Sequence, residues 1–335
     1  MTLMHILVFL ASALLHGYLL RGRWRGWVLL LLSLLAVYWL QPSTPIRYLD
    51  FWLPTGSLAL TFLTWAAISR PTPETRRITW ITAAGVAGAI LLVSLLRYLE
   101  PICCLTPTRP PDLISTVTGV SALAILAGLF VRFGSGKKML VSLSILALVA
   151  IFIVLKTEPL SLAASIGLRS LSGQSANMAT GFDIRWLGIS YIAFRLLHTL
   201  RDHQTGKANN LNLQEFMIYV LFFPALSAGP IDRAPRFAQD LRKPFQLDAK
   251  EVLAGGERLV MGIFKKFVLA DTLAVIALSE VSASQAASMG WTWLMLYAYA
   301  LRIYFDFSGY TDIAIGLGRL FGITLPENFD KPYLK

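Results

Sequence analysis

Long apolar runs constrain this chain more than any other feature. Stretches at about 3–20, 26–40, 54–69, 78–97, 113–133 and 139–155 are almost free of charge. Each is near the roughly 17–25 residues that a helix needs to cross a ~30 Å hydrocarbon core. Backbone groups in lipid must be satisfied within the protein, which leaves helices or a closed barrel. A barrel would show alternating hydrophobicity in segments of about ten residues, and these runs do not alternate. With 56% hydrophobic and only 15% charged residues, the chain reads as an all-α polytopic membrane protein.

Charge sets its orientation. Arg21/Arg23/Arg25, Arg70/Arg76/Arg77 and Arg132/Lys137/Lys138 fall in alternate loops, while the intervening loops carry Arg47, Arg97/Arg109 and Lys156/Arg169. The positive-inside rule puts the first set in the cytoplasm. The run 3–20 has no basic segment before it, so it reads as a first span with its N-terminus outside rather than a signal peptide. The net charge of +11 is therefore a topology signal, and nucleic acid is not expected as a partner. Cys103 and Cys104 are adjacent and lack partner histidines, which suits neither a metal site nor a comfortable disulfide. The Ser/Gly/Ala-rich stretch 156–184 reads as an exterior interfacial helix, a lid or an ordinary connector.

Charge enters the apolar pattern only after Trp186. Arg195 lies inside the apolar helix of Trp186–Lys207, and His198 and His203 follow it. A packed helix residue and a solvated turn are the expected settings for these histidines, ahead of a general base. The run Phe216–Ala228 is short for a span, and Pro224, Gly229 and Pro230 break it. Basic flanks on both sides, Arg201/Lys207 and Arg233/Arg236, suggest a segment that dips in and returns. Arg258 and Lys265 are seven apart and share one helical face, suited to an acidic acyl donor or to anchoring at the lipid boundary. Last, Ile303–Lys335 sets Asp306, Ser308, Asp312, Arg319, Glu327 and Asp330 in an apolar frame. Arg302, Asp306 and Tyr310 are spaced by fours, as are Ser308 and Asp312. Carboxylates in such surroundings are costly and mark a bundle interior or a watery route. Close helix packing around an internal ion pair is the competing reading. No phosphate loop, serine-hydrolase elbow or metal-ligand cluster is present.

Several of these pieces carry a resemblance. Tyr304-Phe305-Asp306-Phe307-Ser308-Gly309-Tyr310, then Asp312-Ile313-Ala314-Ile315-Gly316 and Pro326-Glu327-Asn328-Phe329, resemble the signature of membrane-bound O-acyltransferases. So do Gly188-Ile189-Ser190-Tyr191 with Asp202 and Gly206, and Phe222-Phe223-Pro224 with Gly229-Pro230-Ile231, Arg233 and Phe237. A third block, Gly255-Gly256-Glu257-Arg258, Gly262, Lys265-Lys266 and Ala270-Asp271, completes the order. The nearest branch is the bacterial one containing alginate O-acetylases and the D-alanine transferase of teichoic acid synthesis.

The resemblance implies a partial fold of that family, a bundle of about 8–10 transmembrane helices with re-entrant or interfacial segments. It implies scaffold helices over 1–155, an exterior loop over 156–185 and the first part of the family core over 186–335. The implied activity moves an acyl group, acetyl in the first instance, from a cytoplasmic acetyl-CoA or acyl-carrier thioester to a hydroxyl of an extracellular polysaccharide. No bound cofactor or metal is implied. Implied partners are membrane lipid, the polymer, an acyl-carrier protein and an exterior accessory acyltransferase, and the implied location is the bacterial cell membrane. In that branch a Trp-His pair follows the last motif and supplies the catalytic histidine. The sequence reaches Lys335 before such a pair, so the base is expected beyond it and this polypeptide alone is expected to be inactive. Arg195, Pro230, Arg233, Arg258, Lys265, Lys266, Asp306, Ser308, Tyr310, Asp312 and Asn328 are the expected walls of one polar substrate channel. A multi-pass transporter or channel is the alternative, since intramembrane charge and broken helices serve transport as well.

Overall fold

The computed structural model describes residues 1–20, 22, 24–69, 72–99, 105–134, 138–207, 211–284 and 288–329. Expectations placed on Arg21, Arg23, Arg70, Cys103, Cys104, Lys137 and Asp330 lie outside these residues, as do the side chains of Arg132 and Lys138. Among the described residues there is no strand. The helices are α1 (Leu3–Leu19), α2 (Trp24–Trp39), α3 (Leu49–Ile68), α4 (Pro73–Leu95), α5 (Leu113–Gly134), α6 (Lys138–Lys156) and α7 (Glu158–Leu171). They continue as α8 (Ile189–Gln204), α9 (Leu213–Leu221), α10 (Ala234–Arg242), α11 (Ala249–Ile263), α12 (Asp271–Ile276), α13 (Glu280–Ser284) and α14 (Met289–Leu320). A π-helical turn, Phe264–Ala270, joins α11 to α12.

Four helices are long and apolar enough to cross a membrane: Leu49–Ile68, Thr75–Tyr98, Leu113–Phe130 and Met139–Lys156. These answer to four of the six expected runs. The first two runs instead form helices of 17 and 16 residues, at the short edge of the spanning range. Helix α3 starts earlier than its apolar run because Asp50 occupies its first turn. There the carboxylate accepts hydrogen bonds from the Thr108 backbone N–H (2.8 Å) and hydroxyl (2.7 Å). An acid in a first turn also meets the positive end of the helix dipole.

The contacts divide the chain into two units, and not at the boundaries expected from sequence. One unit is Arg23–Phe223 with Arg233–Gln239; the other is Met1–Gly22, Pro224–Asp232 and Asp240–Lys335. Helix α1 thus joins the C-terminal core instead of the expected 1–155 scaffold. Its buried face, Ile6, Phe9, Ala13 and His16, recurs at helical spacing. His16 sets its ring edge-on to Phe321 at 5.0 Å, and the Tyr310 hydroxyl donates to the Met1 carbonyl at 3.3 Å.

Within the larger unit, α9 is short and all its side chains but Gln214 are buried, as irregular backbone next to a lipid-soluble helix requires. Asn212 and Glu215 form a reciprocal capping box at its start. At its end the carbonyls of Tyr219 and Val220 accept from Arg195 Nη1, at 3.3 and 2.8 Å. Arg195 is 2% exposed and so acts here as a C-terminal cap, supplying donors to carbonyls that no further helical turn can satisfy.

The stretch 156–184 is an ordered helix and loop built around Asp183. Ser165 Oγ (2.6 Å), Arg169 Nε (2.8 Å) and Thr180 Oγ1 (2.6 Å) all donate to that carboxylate. Burial pushes the Asp183 carboxyl up, but these charge-assisted bonds outweigh it and hold the group well below the usual carboxylate range. A carboxyl depressed on folding adds stability above its unfolded value, about 3.9, and that stability is lost as pH falls below it. Pepsin cleavage within 158–184 is expected to accelerate by about tenfold or more between pH 5 and pH 2, beyond any change in an Asp183→Asn variant. Equal acceleration in both proteins would remove Asp183 from the account.

Candidate functional site

Helix α14 carries the two motif pieces Tyr304–Tyr310 and Asp312–Gly316 on one continuous 32-residue helix. At 1.5 Å per residue that is about 48 Å, longer than the hydrocarbon core. Helix α11 and its π-turn run antiparallel along it, held close by two glycine contacts. A Cβ built on Gly262 would lie 2.7 Å from both the Gly309 carbonyl oxygen and the Ile313 backbone nitrogen. One built on Gly316 would lie 2.7 Å from the Gly255 carbonyl oxygen. Gly255/Gly262 and Gly309/Gly316 are each seven apart, so each pair recurs on one helical face. Only backbones without side chains allow this approach.

The charges sit beside those contacts. Asp312 is 3% exposed; its Oδ1 accepts from Arg258 Nη1 at 2.6 Å and its Oδ2 from Lys265 Nζ at 2.6 Å. Seven residues separate the two cations, about 10.5 Å of helical rise, so their side chains converge on the carboxylate from either side. Arg258 also pairs with Glu327 on the loop after α14. One residue on, Lys266 pairs with Asp306 and with Asp271, each at 2.8 Å, and lies 5.7 Å from the Tyr310 ring centroid. Positions five apart, such as Lys266 and Asp271, splay by about 140° on an α-helix. The π-turn, which bonds i to i+5, brings them together.

Of the expected channel residues, the structure joins Arg258, Lys265 and Asp312 in one cluster and Lys266, Asp306 and Tyr310 in its neighbour. Ser308 lies on α14 between them, 4% exposed, and neither its hydroxyl nor that of Thr311 has a hydrogen-bond partner among the described residues. Pro230 is buried in the broken segment, where a Cβ on Gly229 would meet Ala314 of α14 at 3.0 Å. Asn328 is exposed on the final loop. Arg195 and Arg233 belong to the other unit, as do His198 and His203. His198 Nε2 stands 3.9 Å from Asp202 Oδ2. The expected spacing partner of Asp306, Arg302, is exposed, and Asp306 is paired across helices with Lys266 instead. Arg258 and Lys265 are not a free basic stripe, because both are engaged by Asp312. Among the described residues no group of three or more His, Cys, Asp or Glu side chains is arranged to hold a metal ion.

Sequence reasoning left Asp271, Glu327 and Thr311 out of the site. The first needed the π-turn, which no spacing rule announces. The seven-residue glycine spacing was readable, and it is the signal that would have paired α11 with α14.

A membrane protein with this antiparallel glycine contact and these ordered motifs has relatives. Residues 108–334, about two-thirds of the chain, match the membrane-bound O-acyltransferase family. The chain belongs to that family. It is 34% identical over 163 residues to the teichoic acid D-alanyltransferase of Lacticaseibacillus rhamnosus, covering 46% of this chain and 40% of that protein. Over 150 residues it is 39% identical to a probable alginate O-acetylase AlgI of Pseudomonas fluorescens, covering 44% of this chain and 30% of that protein. The matched stretch therefore spans well under half the length of these curated relatives.

Proposed function

We propose that this chain forms part of the core of an O-acyltransferase of the cell membrane. It takes an acyl group, acetyl first, from a cytoplasmic acetyl-CoA or acyl-carrier thioester. The acceptor is a hydroxyl of an extracellular or cell-wall polysaccharide, and an acyl-carrier protein and an exterior accessory acyltransferase are the partners this scheme invites. The observation that carries the reading is the buried Asp312 with its two cations, set on the helix that bears the family motif. In acyl transfer the hydroxyl oxygen attacks the thioester carbonyl while a base takes its proton, the C–S bond breaks, and the thiolate leaves and takes that proton from the base. A positioned base contributes about 10²–10⁴ in rate. The part of the Asp312 cluster in this scheme is to fix the wall past which donor and acceptor meet.

Two relatives of different named activity, both acyl transfers, support the transfer class and leave acyl group and polymer open. The test uses sealed, inside-out membrane vesicles from cells producing the protein. Thioester labelled in its acyl group is supplied at the cytoplasmic face, and alkali-labile label is counted in polymer captured from the lumen. Label in ester linkage that depends on the protein supports the reading. Protein-dependent passage of free labelled acid, with no ester formed, would move the protein to the transporter class.

A further inference from the structure

We propose that α7 lies in the plane of the membrane at the boundary between headgroups and acyl chains, with lipid as the occupant of its outer face. This stands apart from the acyltransferase reading, since it rests on the fold of the larger unit alone.

The helix is amphipathic with its faces reversed relative to a helix on a water-soluble protein. Ser161, Ser165 and Arg169, spaced by fours, are buried and hydrogen-bonded, Ser161 to the Gly181 carbonyl and the other two to Asp183. Leu160, Ile166 and Leu171 point outward, Leu171 being 87% exposed. The loop that follows adds Met178 and Phe182, more than two-thirds exposed. A polar face folded inward and an apolar face turned out is the pattern expected where the surroundings are lipid.

The place of the helix in the chain makes lipid the occupant. Helices α3, α4, α5 and α6 are four successive candidate spans, so four crossings return the chain to the side where α3 begins. The start of α7 follows the end of α6, with only Thr157 between, in extended backbone that breaks the helix. Its far end packs at the start of α3: Leu168 lies against the cluster of Ile46, Leu49 and Leu53. Just past it, Gln174 bonds the Pro45 carbonyl and the Arg47 N–H. Both ends of α7 are thus tied to span ends on one side of the membrane. Its 14 residues, about 21 Å, are too short to cross. Next to it α6 exposes Leu143, Leu146, Val149 and Ile153, so the apolar face of α7 continues a lipid-facing surface. Helices of this kind bury their apolar side about 5–10 Å into the boundary.

The test replaces Cys103 and Cys104 by serine, places single cysteines at Leu160, Ile166 or Leu171, and attaches a fluorophore to each in protein reconstituted in vesicles. A cysteine at Leu146, midway along α6, serves as the deep reference. Lipids spin-labelled near the headgroup are expected to quench the three α7 probes roughly twofold more than lipids labelled near the chain end, with the order reversed at Leu146. A water-soluble quencher should reach the α7 probes only weakly. Strong aqueous quenching with none from lipid would overturn the proposal. So would deeper quenching at α7 than at Leu146, or self-quenching between copies in place of lipid quenching. The substituted positions face outward, and three independent sites guard against one failing to fold.

Discussion

A Gly262→Val protein is expected to lose most of its folded yield in detergent, whereas Gly256→Ala on the same helix stays near wild type. The difference is geometric. A Cβ at 262 falls 2.7 Å from two backbone atoms of α14, and backbone cannot swing aside as a flexible side chain does. At Gly256 no atom lies within 4 Å of the same Cβ, and alanine there is also the better helix former. Overpacking of an established contact costs about 1–3 kcal/mol for small additions, and more where two helix backbones must separate. Valine adds two further carbons at this spot. Separation also draws Arg258 and Lys265 away from Asp312, so packing and charge fail together. Size-exclusion recovery and thermal unfolding of the two variants check this. Equal stability would mean that α11 and α14 are not in contact as described.

The second large effect is expected at the carboxylate itself. Asp312→Asn keeps the shape and removes the charge that two cations share. Breaking a buried pair by deleting one partner costs about 3–5 kcal/mol, because the other charge is left without compensation. Here Arg258 retains Glu327 and its side chain is 37% exposed, which lets water recover part of that cost. Lys265 is more enclosed, at 23%. A net loss of roughly 2–3 kcal/mol follows, read as a lower unfolding midpoint. Lys265→Met in the Asp312→Asn background should recover part of the loss, since an apolar side chain needs no counter-ion.

Much of this arrangement was legible in the sequence, for reasons that differ by element. The apolar runs of α3 to α6 announced spans because lipid permits little else. The carboxylates of α14 stood out because charge in an apolar frame is costly, and Asp312 is indeed paired and buried. Partners were harder to read. Arg302 satisfied the local spacing for Asp306, yet Lys266 from another helix took that place, since spacing rules describe one helix and say nothing of a neighbour. The π-turn changed which side Asp271 faces, and no residue type marks it. Helix α1 was assigned to the scaffold by position in the chain, whereas its packing with the C-terminal core, His16 on Phe321 and Gly17 on Leu247, is a long-range fact. In α7 the buried serines were visible as letters, but which face turned inward depended on Asp183 fourteen residues after Arg169.

Arg258 and Lys265 both hold Asp312, and Lys266 holds Asp306, which locks the motif helix in place. A double-mutant cycle between Lys265→Gln and Asp312→Asn, followed by unfolding in detergent, tests this most directly. A coupling of about 1.5 kcal/mol or more is predicted, within the range of residues that touch. Losses that simply add, within about 0.5 kcal/mol, would contradict it.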